Sequence, residues 1–167
     1  MLPTKLTLEV VTPEREVARG DVDFIQMPGL DGYLGVLPGH APLLTELGAG
    51  VLSYRSNNVE HFAAVVGGFA EVLGDRVIVL AEAAELGESI DVIRAQAAQE
   101  RALKILQQKA EQVDFHAAQS ALERSLVRIE AAKLAGQGVA GMKHRPRGMA
   151  AGQPHDEETP ASAAEKK

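Results

Sequence analysis

The chain has no cysteine and no tryptophan, and only 2 Tyr and 4 Phe among its 167 residues. Without cysteine there are no disulfides and no thiolate metal sites, which leaves a reducing compartment open. So few aromatics offer little for stacking on nucleic-acid bases. A basic surface is missing as well. The formal charge is −6, whereas phosphate backbones are held by faces rich in Lys and Arg, so nucleic acid is excluded as a partner. No run approaches the ~18 apolar residues of a membrane-spanning helix. Membrane association would therefore come through partners and not through a direct span. The opening Met1-Leu2-Pro3-Thr4-Lys5 has neither signal-peptide nor transit-peptide character.

Catalytic constellations are also lacking. Gly29, Gly32, Gly35 and Gly39 crowd one stretch, but the Lys-Ser/Thr pair that would close a phosphate loop does not follow. These glycines read as turn residues. His40 reads as a local hydrogen-bonding group, and His61, His116, His144 and His155 show no metal-ligand spacing. Ser53, Ser56 and Ser120 stand in no nucleophile-elbow context. Catalytic residues: none; metal ligands: none.

What is present falls into three segments. Residues 1–89 carry 5 Lys/Arg against 13 Asp/Glu, a net of −8, while residues 90–134 carry 7 against 6 and residues 135–167 carry 5 against 4. The acidic segment reads as strands over residues 4–85. Leu6, Leu8 and Val10 alternate with polar residues, and Asn57-Asn58 and Gly74-Asp75 interrupt apolar runs as tight-hairpin turns. Gly67-Gly68 within a strand pattern suggests a bulge. The period then changes. Ser89 can cap a helix with Asp91 in its first turn, and Ala95, Ala98, Ala102, Ile105 and Leu106 form one stripe. Asp114 can cap a second helix with the stripe Phe115, Ala118, Leu122, Leu126 and Ile129. The expected fold class is α+β. An N-terminal β-sandwich or flattened barrel (1–88) precedes an antiparallel two-helix hairpin (89–134), and a Gly- and Ala-rich disordered tail follows (135–167).

The hairpin carries arginines without local partners. Arg101, Arg124 and Arg128 have no carboxylate at i±3 or i±4, and Arg124 and Arg128 are themselves a like-charge i,i+4 pair. Asp91 and Arg94 are spaced to pair. Such arginines suit either a solvated helix face or an external anion, a nucleotide phosphate or an acidic protein segment. The Ala-rich stripes bury little. Docking on the sandwich is then worth only a few kcal/mol, a gap that a selective ligand can tip.

Two motifs carry a family resemblance. Gly32-Tyr33-Leu34-Gly35-Val36-Leu37-Pro38-Gly39-His40-Ala41-Pro42-Leu43-Leu44 resembles the G-x-L-G-[IV]-L-P-G-H-[AT]-P-L-[LI] loop of the epsilon subunit of F-type ATP synthases. Ile90-Asp91-Val92-Ile93-Arg94-Ala95 resembles the [IL]-D-x-x-R-A motif that opens the same family's C-terminal hairpin. The likeness runs over roughly residues 3 to 134; the tail, with its Lys143-His144-Arg145-Pro146-Arg147 cluster, is a departure.

The resemblance implies a non-catalytic central-stalk subunit that couples proton flow to ATP synthesis. The implied partners are the gamma subunit of the stalk, the membrane c-ring and the catalytic alpha/beta head, and Phe24 to Leu44 would supply part of the docking surface. No cofactor is required. In some bacterial members the folded hairpin binds one regulatory ATP, and the positions carried over are Glu85, Asp91, Arg94, Arg101, Arg124 and Arg128. When the helices extend towards the head they inhibit hydrolysis, through Lys104, Lys109, Arg124 and Arg128 in this chain. The implied place is the cytoplasmic face of a bacterial membrane, peripherally bound. A free-standing ATP-sensing module is the alternative, and a small β-sandwich enzyme lacks the residues for its chemistry.

Overall fold

The computed structural model describes residues 4–107 and 114–138. Eight strands come first: β1 (Leu6–Val11), β2 (Glu16–Val22), β3 (Phe24–Gly29), β4 (Gly32–Val36), β5 (Leu43–Glu46), β6 (Gly50–Ser56), β7 (Val59–Leu73) and β8 (Arg76–Leu86). A 3-10 turn over Gly87–Ser89 leads into α1 (Val92–Gln107), and α2 spans Phe115–Gly138. The strands form one hydrogen-bonded path, β2-β1-β8-β7-β6-β3-β4, with β5 added on β7. All pairs are antiparallel except β1 with β8.

The path is not closed; it folds over itself as a sandwich. The Asp23 N–H donates to the Arg55 carbonyl and the Ser56 hydroxyl to the Asp21 carbonyl, so the β2–β3 corner meets the end of β6. Leu6, Leu8 and Val10 then face Ile25, Met27, Val36 and Leu52 in one buried core. On the outer side Glu9 is buried beneath two guanidiniums, its Oε1 lying 2.9 Å from Arg19 and 3.0 Å from Arg76.

Both expected hairpin turns form. Asn57 and Asn58 take φ of 51° and 64°, and Leu73 pairs with Arg76 across Gly74-Asp75 with Gly74 at φ +65°. At Gly67-Gly68 the structure places a kink in place of the expected bulge. Val66 pairs with Ala83 and Gly68 with Ala81, so no extra residue enters the register. Here β7 exchanges β6 for β5 as its neighbour, and both glycines have positive φ. Gly68 is required by both conformation and close approach: at φ +108°, a Cβ there would lie 2.0 Å from the Leu80 carbonyl oxygen.

The helices lie on one side of this sandwich. Val51, Ala64, Ile90, Ala95, Val127 and Ala131 make a second buried cluster, with Phe62 and Leu134 at its margin. This explains why Val51 and Leu52, adjacent on β6, are both buried: one faces the strand core, the other the helices. α2 packs on β7 and on the 3-10 turn, and α1 packs on α2. Ala95, early in α1, shares this cluster with Val127 and Ala131, in the second half of α2, as an antiparallel hairpin requires.

Three expectations about the helices are corrected. Asp91, not Ser89, is the N-cap of α1, because its carboxylate accepts the Arg94 backbone N–H at 2.9 Å while Ser89 belongs to the 3-10 turn. The stripe of α2 holds in part: Ala118 is buried and Ile129 packs on the seam cluster, but Phe115 and Leu126 are exposed, and Ser125, Val127 and Ala131 are buried in their place. Finally, α2 continues to Gly138, so residues 135–138 are helical and not the start of the tail, since Ala135 still packs against the 3-10 turn at Gly87. Asp114 caps α2 as expected, accepting the Ala117 N–H at 3.0 Å. Residues 139–167, with the basic cluster at 143–147, lie outside the described residues.

Candidate functional site

The seam between sandwich and hairpin holds two adjoining cavities. One, of about 180 Å3, is lined by Glu85, Ser89, Ile90, Asp91, Arg94, Ala95 and Arg128. The other, of about 240 Å3, lies against Ala64, Val66, Ala83 and Ala84 and is flanked by Arg124 and Arg128, with Glu85 again in its wall. Each is smaller than the ~300–1,000 Å3 usual for a small-molecule site. They share Glu85 and Arg128, and so form one elongated groove with charged groups at its middle.

Each charged residue is positioned by a separate local cause. Glu85 comes from the end of β8, where the strand leaves the sheet. Asp91 is fixed by capping, its Oδ1 holding the N–H of Arg94. The expected Asp91–Arg94 side-chain pair is thus replaced by a side-chain-to-backbone bond, which leaves the Arg94 guanidinium free to line the first cavity. Arg124 and Arg128 lie one turn apart on α2, on the side turned to β8. Their repulsion is eased by Glu85, whose Oε2 lies 2.6 Å from Arg128 Nη2. That oxygen is buried, and the Arg128 guanidinium is its ion-pair partner among the described residues. Among the described residues, no carboxylate lies within 4.0 Å of the guanidiniums of Arg94, Arg101 or Arg124. Three arginines against Glu85 and Asp91 leave the groove with one excess positive charge.

The structure therefore gathers five of the six expected ATP-site residues: Glu85, Asp91, Arg94, Arg124 and Arg128. Arg101 lines neither cavity; it is exposed on α1, two turns beyond Arg94. Of the residues expected to contact the head, Lys104 is exposed in the last turn of α1. Arg124 and Arg128 face the sandwich here, and Lys109 lies outside the described residues. His40 makes only a local contact, Nδ1 to the Ala41 carbonyl at 2.7 Å.

Two features of the seam escaped sequence reasoning. His61 stacks on Tyr54 with ring centroids 5.0 Å apart and reaches Glu88 at 3.4 Å. Burial, and secondly the charge of Glu88, push the Tyr54 hydroxyl above the usual tyrosine range. The other is Gly87, pressed against the backbone of α2. A glycine standing alone where a strand pattern gives way to a helix pattern was the available signal for it.

Comparison with known proteins agrees with this architecture, element by element. Residues 5–87 match the family model described as ATP synthase, Delta/Epsilon chain, beta-sandwich domain, and residues 88–133 match the long alpha-helix domain of the same chain. The chain is 46% identical over 129 residues to the ATP synthase epsilon chain of Syntrophobacter fumaroxidans, covering 77% of this chain and 96% of that one. It is 48% identical over 131 residues to that of Solibacter usitatus, covering 78% and 98%. A chain in the cryo-EM structure of the Euglena gracilis mitochondrial ATP synthase superposes with a TM-score of 0.69 at 26% identity, over 80% of this chain and 84% of that one.

Proposed function

The chain belongs to the ATP synthase delta/epsilon chain family, and from that premise we propose that it is a non-catalytic rotor subunit of the enzyme's central stalk. It couples proton flow to ATP synthesis, and its helical hairpin acts as a brake on ATP hydrolysis. The sandwich binds the gamma subunit and the c-ring, with the Phe24 to Leu44 segment among the contacts. The hairpin docks on the sandwich in one state and meets the alpha/beta head in another. The protein works at the cytoplasmic face of a bacterial membrane, held there by its partners. No helix among the described residues is long and apolar enough to cross a membrane.

The observation that best supports the brake is the composition of the hairpin seam. Half of its buried cluster is alanine, and among the described residues the facing arginines are mostly unpaired. A surface held by so little burial can leave, and on leaving it presents Lys104, Lys109, Arg124 and Arg128 to acidic protein segments. A regulatory ATP would favour the docked state. Arg94, which lines one cavity, and Arg124, which lines the other, would be donors to its phosphates through charge-assisted bonds.

The test is reconstitution with the catalytic head and a central stalk lacking this subunit, followed by ATP hydrolysis against added protein. Full-length protein is compared with chains ending at residues 88 and 135. Saturable inhibition lost on ending the chain at 88 supports the brake. Binding without inhibition leaves the stalk role and removes the brake. Absence of binding removes the rotor reading in favour of a free-standing ATP sensor.

A further inference from the structure

We propose that the docked hairpin is held by a two-point latch at the exit of β8. Glu85 holds Arg128 by charge, and Gly87 admits the backbone of α2 at Ala131 and Ala135. The latch rests on the reading that the hairpin can leave the sandwich, and adds what holds it there when no ligand is bound.

The two points are in register on both elements. Glu85 lies in the last pair of β8 residues and Gly87 opens the 3-10 turn, with the extended Leu86 between them, a spacing of two that puts them on one side. Arg128, Ala131 and Ala135 are three and seven apart on α2, which aligns them along one helix face. The strand end and the helix face therefore meet at charge and at shape together.

Gly87 owes its place to close approach and not to backbone conformation. Its φ lies outside the left-handed region, so alanine could adopt the same backbone. A Cβ there would, however, lie 2.6 Å from the Ala131 carbonyl oxygen and 2.9 Å from the Ala135 Cβ. Real contacts are not that short, and the obstruction is helix backbone, which cannot rotate aside. In the undocked state the same methyl meets nothing of α2. Gly87→Ala thus penalises the docked state selectively.

The charge point works alongside. The Glu85 carboxylate is mostly covered, with Oε2 buried and Arg128 its sole partner among the described residues. Losing Arg128 would strand that oxygen, whereas undocking returns it to water. An internal carboxylate thus occupies one arginine of the groove, while Arg94 and Arg124 have no carboxylate partner among the described residues.

The experiment is amide hydrogen exchange by mass spectrometry on the full-length chain without nucleotide. It compares Gly87→Ala, Glu85→Gln, Arg128→Gln, the double variant Glu85→Gln with Arg128→Gln, and the charge swap Glu85→Arg with Arg128→Glu. Gly87→Ala is expected to speed exchange of residues 115–138 by roughly tenfold or more while strands β1 to β6 keep their protection. Each single charge variant is expected to give roughly fivefold, the double variant no more than either alone, and the swap to recover most of the loss. Parental exchange of α2 in Gly87→Ala overturns the shape half. Independent, multiplying effects of Glu85→Gln and Arg128→Gln overturn the charge half. If Gly87→Ala also exposes the strands, the glycine serves the sandwich and the latch is overturned. No head or stalk is present, so failure here is distinct from failure of the hydrolysis test.

Discussion

The strand core and the helix seam solve the same problem with different residues. The core is built from Leu6, Leu8, Ile25, Met27 and Leu52 with valines between them, all essentially inaccessible. The seam is built from Val51, Ala64, Ile90, Ala95, Val127 and Ala131, with Ile129 and Leu134 at its margin, while several large apolar side chains of the hairpin point outward. Ile93 is 80% exposed, and Phe115 and Leu126 are about half exposed. A buried Leu, Ile or Met contributes about 1.5–3 kcal/mol and a methyl about 0.8. One region is therefore held by bulk burial, and the other by shape and a few charges. A protein built this way opens at the seam long before the sandwich melts.

Changing the core should break that ordering most. Leu52→Ala removes a fully buried side chain between the two sandwich layers and is expected to cost about 2–5 kcal/mol. The loss should appear as a lower global midpoint in urea, with strands and helices lost together because α2 rests on β6 and β7. If α2 signals disappear at the same denaturant concentration in the parent, the two regions form one cooperative unit and the comparison fails. Gly68→Ala comes next, at about 3 kcal/mol, from strain at positive φ and the clash with Leu80. It too should lower the global midpoint.

Changes in the seam should be smaller and local. Val127→Ala deletes two methyls from a site 7% exposed, worth about 1.5 kcal/mol. The effect should register as faster amide exchange within 115–138 with an unchanged urea midpoint for the strands. A shift of that midpoint would mean the seam supports the sandwich. Asp91→Ala removes the N-cap of α1 and should cost about 1 kcal/mol. Because α1 packs on α2 and scarcely on the sheet, its fraying should be visible in residues 92–96 alone. Asp91→Asn, which can still cap, should restore most of it.

Much of the fold was legible because it is written in local chemistry. Two asparagines tolerate the φ > 0 that a two-residue hairpin demands, and Asp114 shows as a cap because it precedes the second helical stripe. The buried face of α2 was legible only in part, at Ala118 and Ile129. That helix has two neighbours, α1 and the sheet, and a single stripe drawn through Phe115 and Leu126 cannot serve both. Ser125 is buried there because its hydroxyl donates to the Leu122 carbonyl at 2.6 Å, which satisfies the polar group within the helix. Asp91 and Arg94 were reached through the motif at residues 90–95, Arg124 and Arg128 through their lack of local partners, and Glu85 only through the family resemblance. The Glu85–Arg128 contact was hidden from rules that look three or four residues along a helix, since it joins a strand end to a distant helix. Gly87 is the same kind of case, a residue whose reason lies across the fold.

The smallest expected effect sits where the two regions join, and depends on alkaline pH. Tyr54 is held above its ordinary value chiefly by burial and secondly by Glu88 on the connecting turn. A tyrosine raised in the folded state keeps its proton longer there than in the unfolded chain. Below the unfolded value, near pH 10, both states are neutral and the group contributes no pH dependence. As pH rises beyond that value, the unfolded chain ionises first and the folded state is progressively disfavoured. Stability should therefore be flat around neutral pH in this respect and fall above about pH 10. Tyr54→Phe should flatten that alkaline fall in urea midpoints measured from pH 8 to 11. A matching flattening in Tyr33→Phe would assign the effect to tyrosine ionisation at large. If Glu88→Gln lessens the fall without moving the midpoint at pH 8, the charge on the turn is felt within the sandwich. The seam would then pass electrostatic information even though it carries little of the fold's stability.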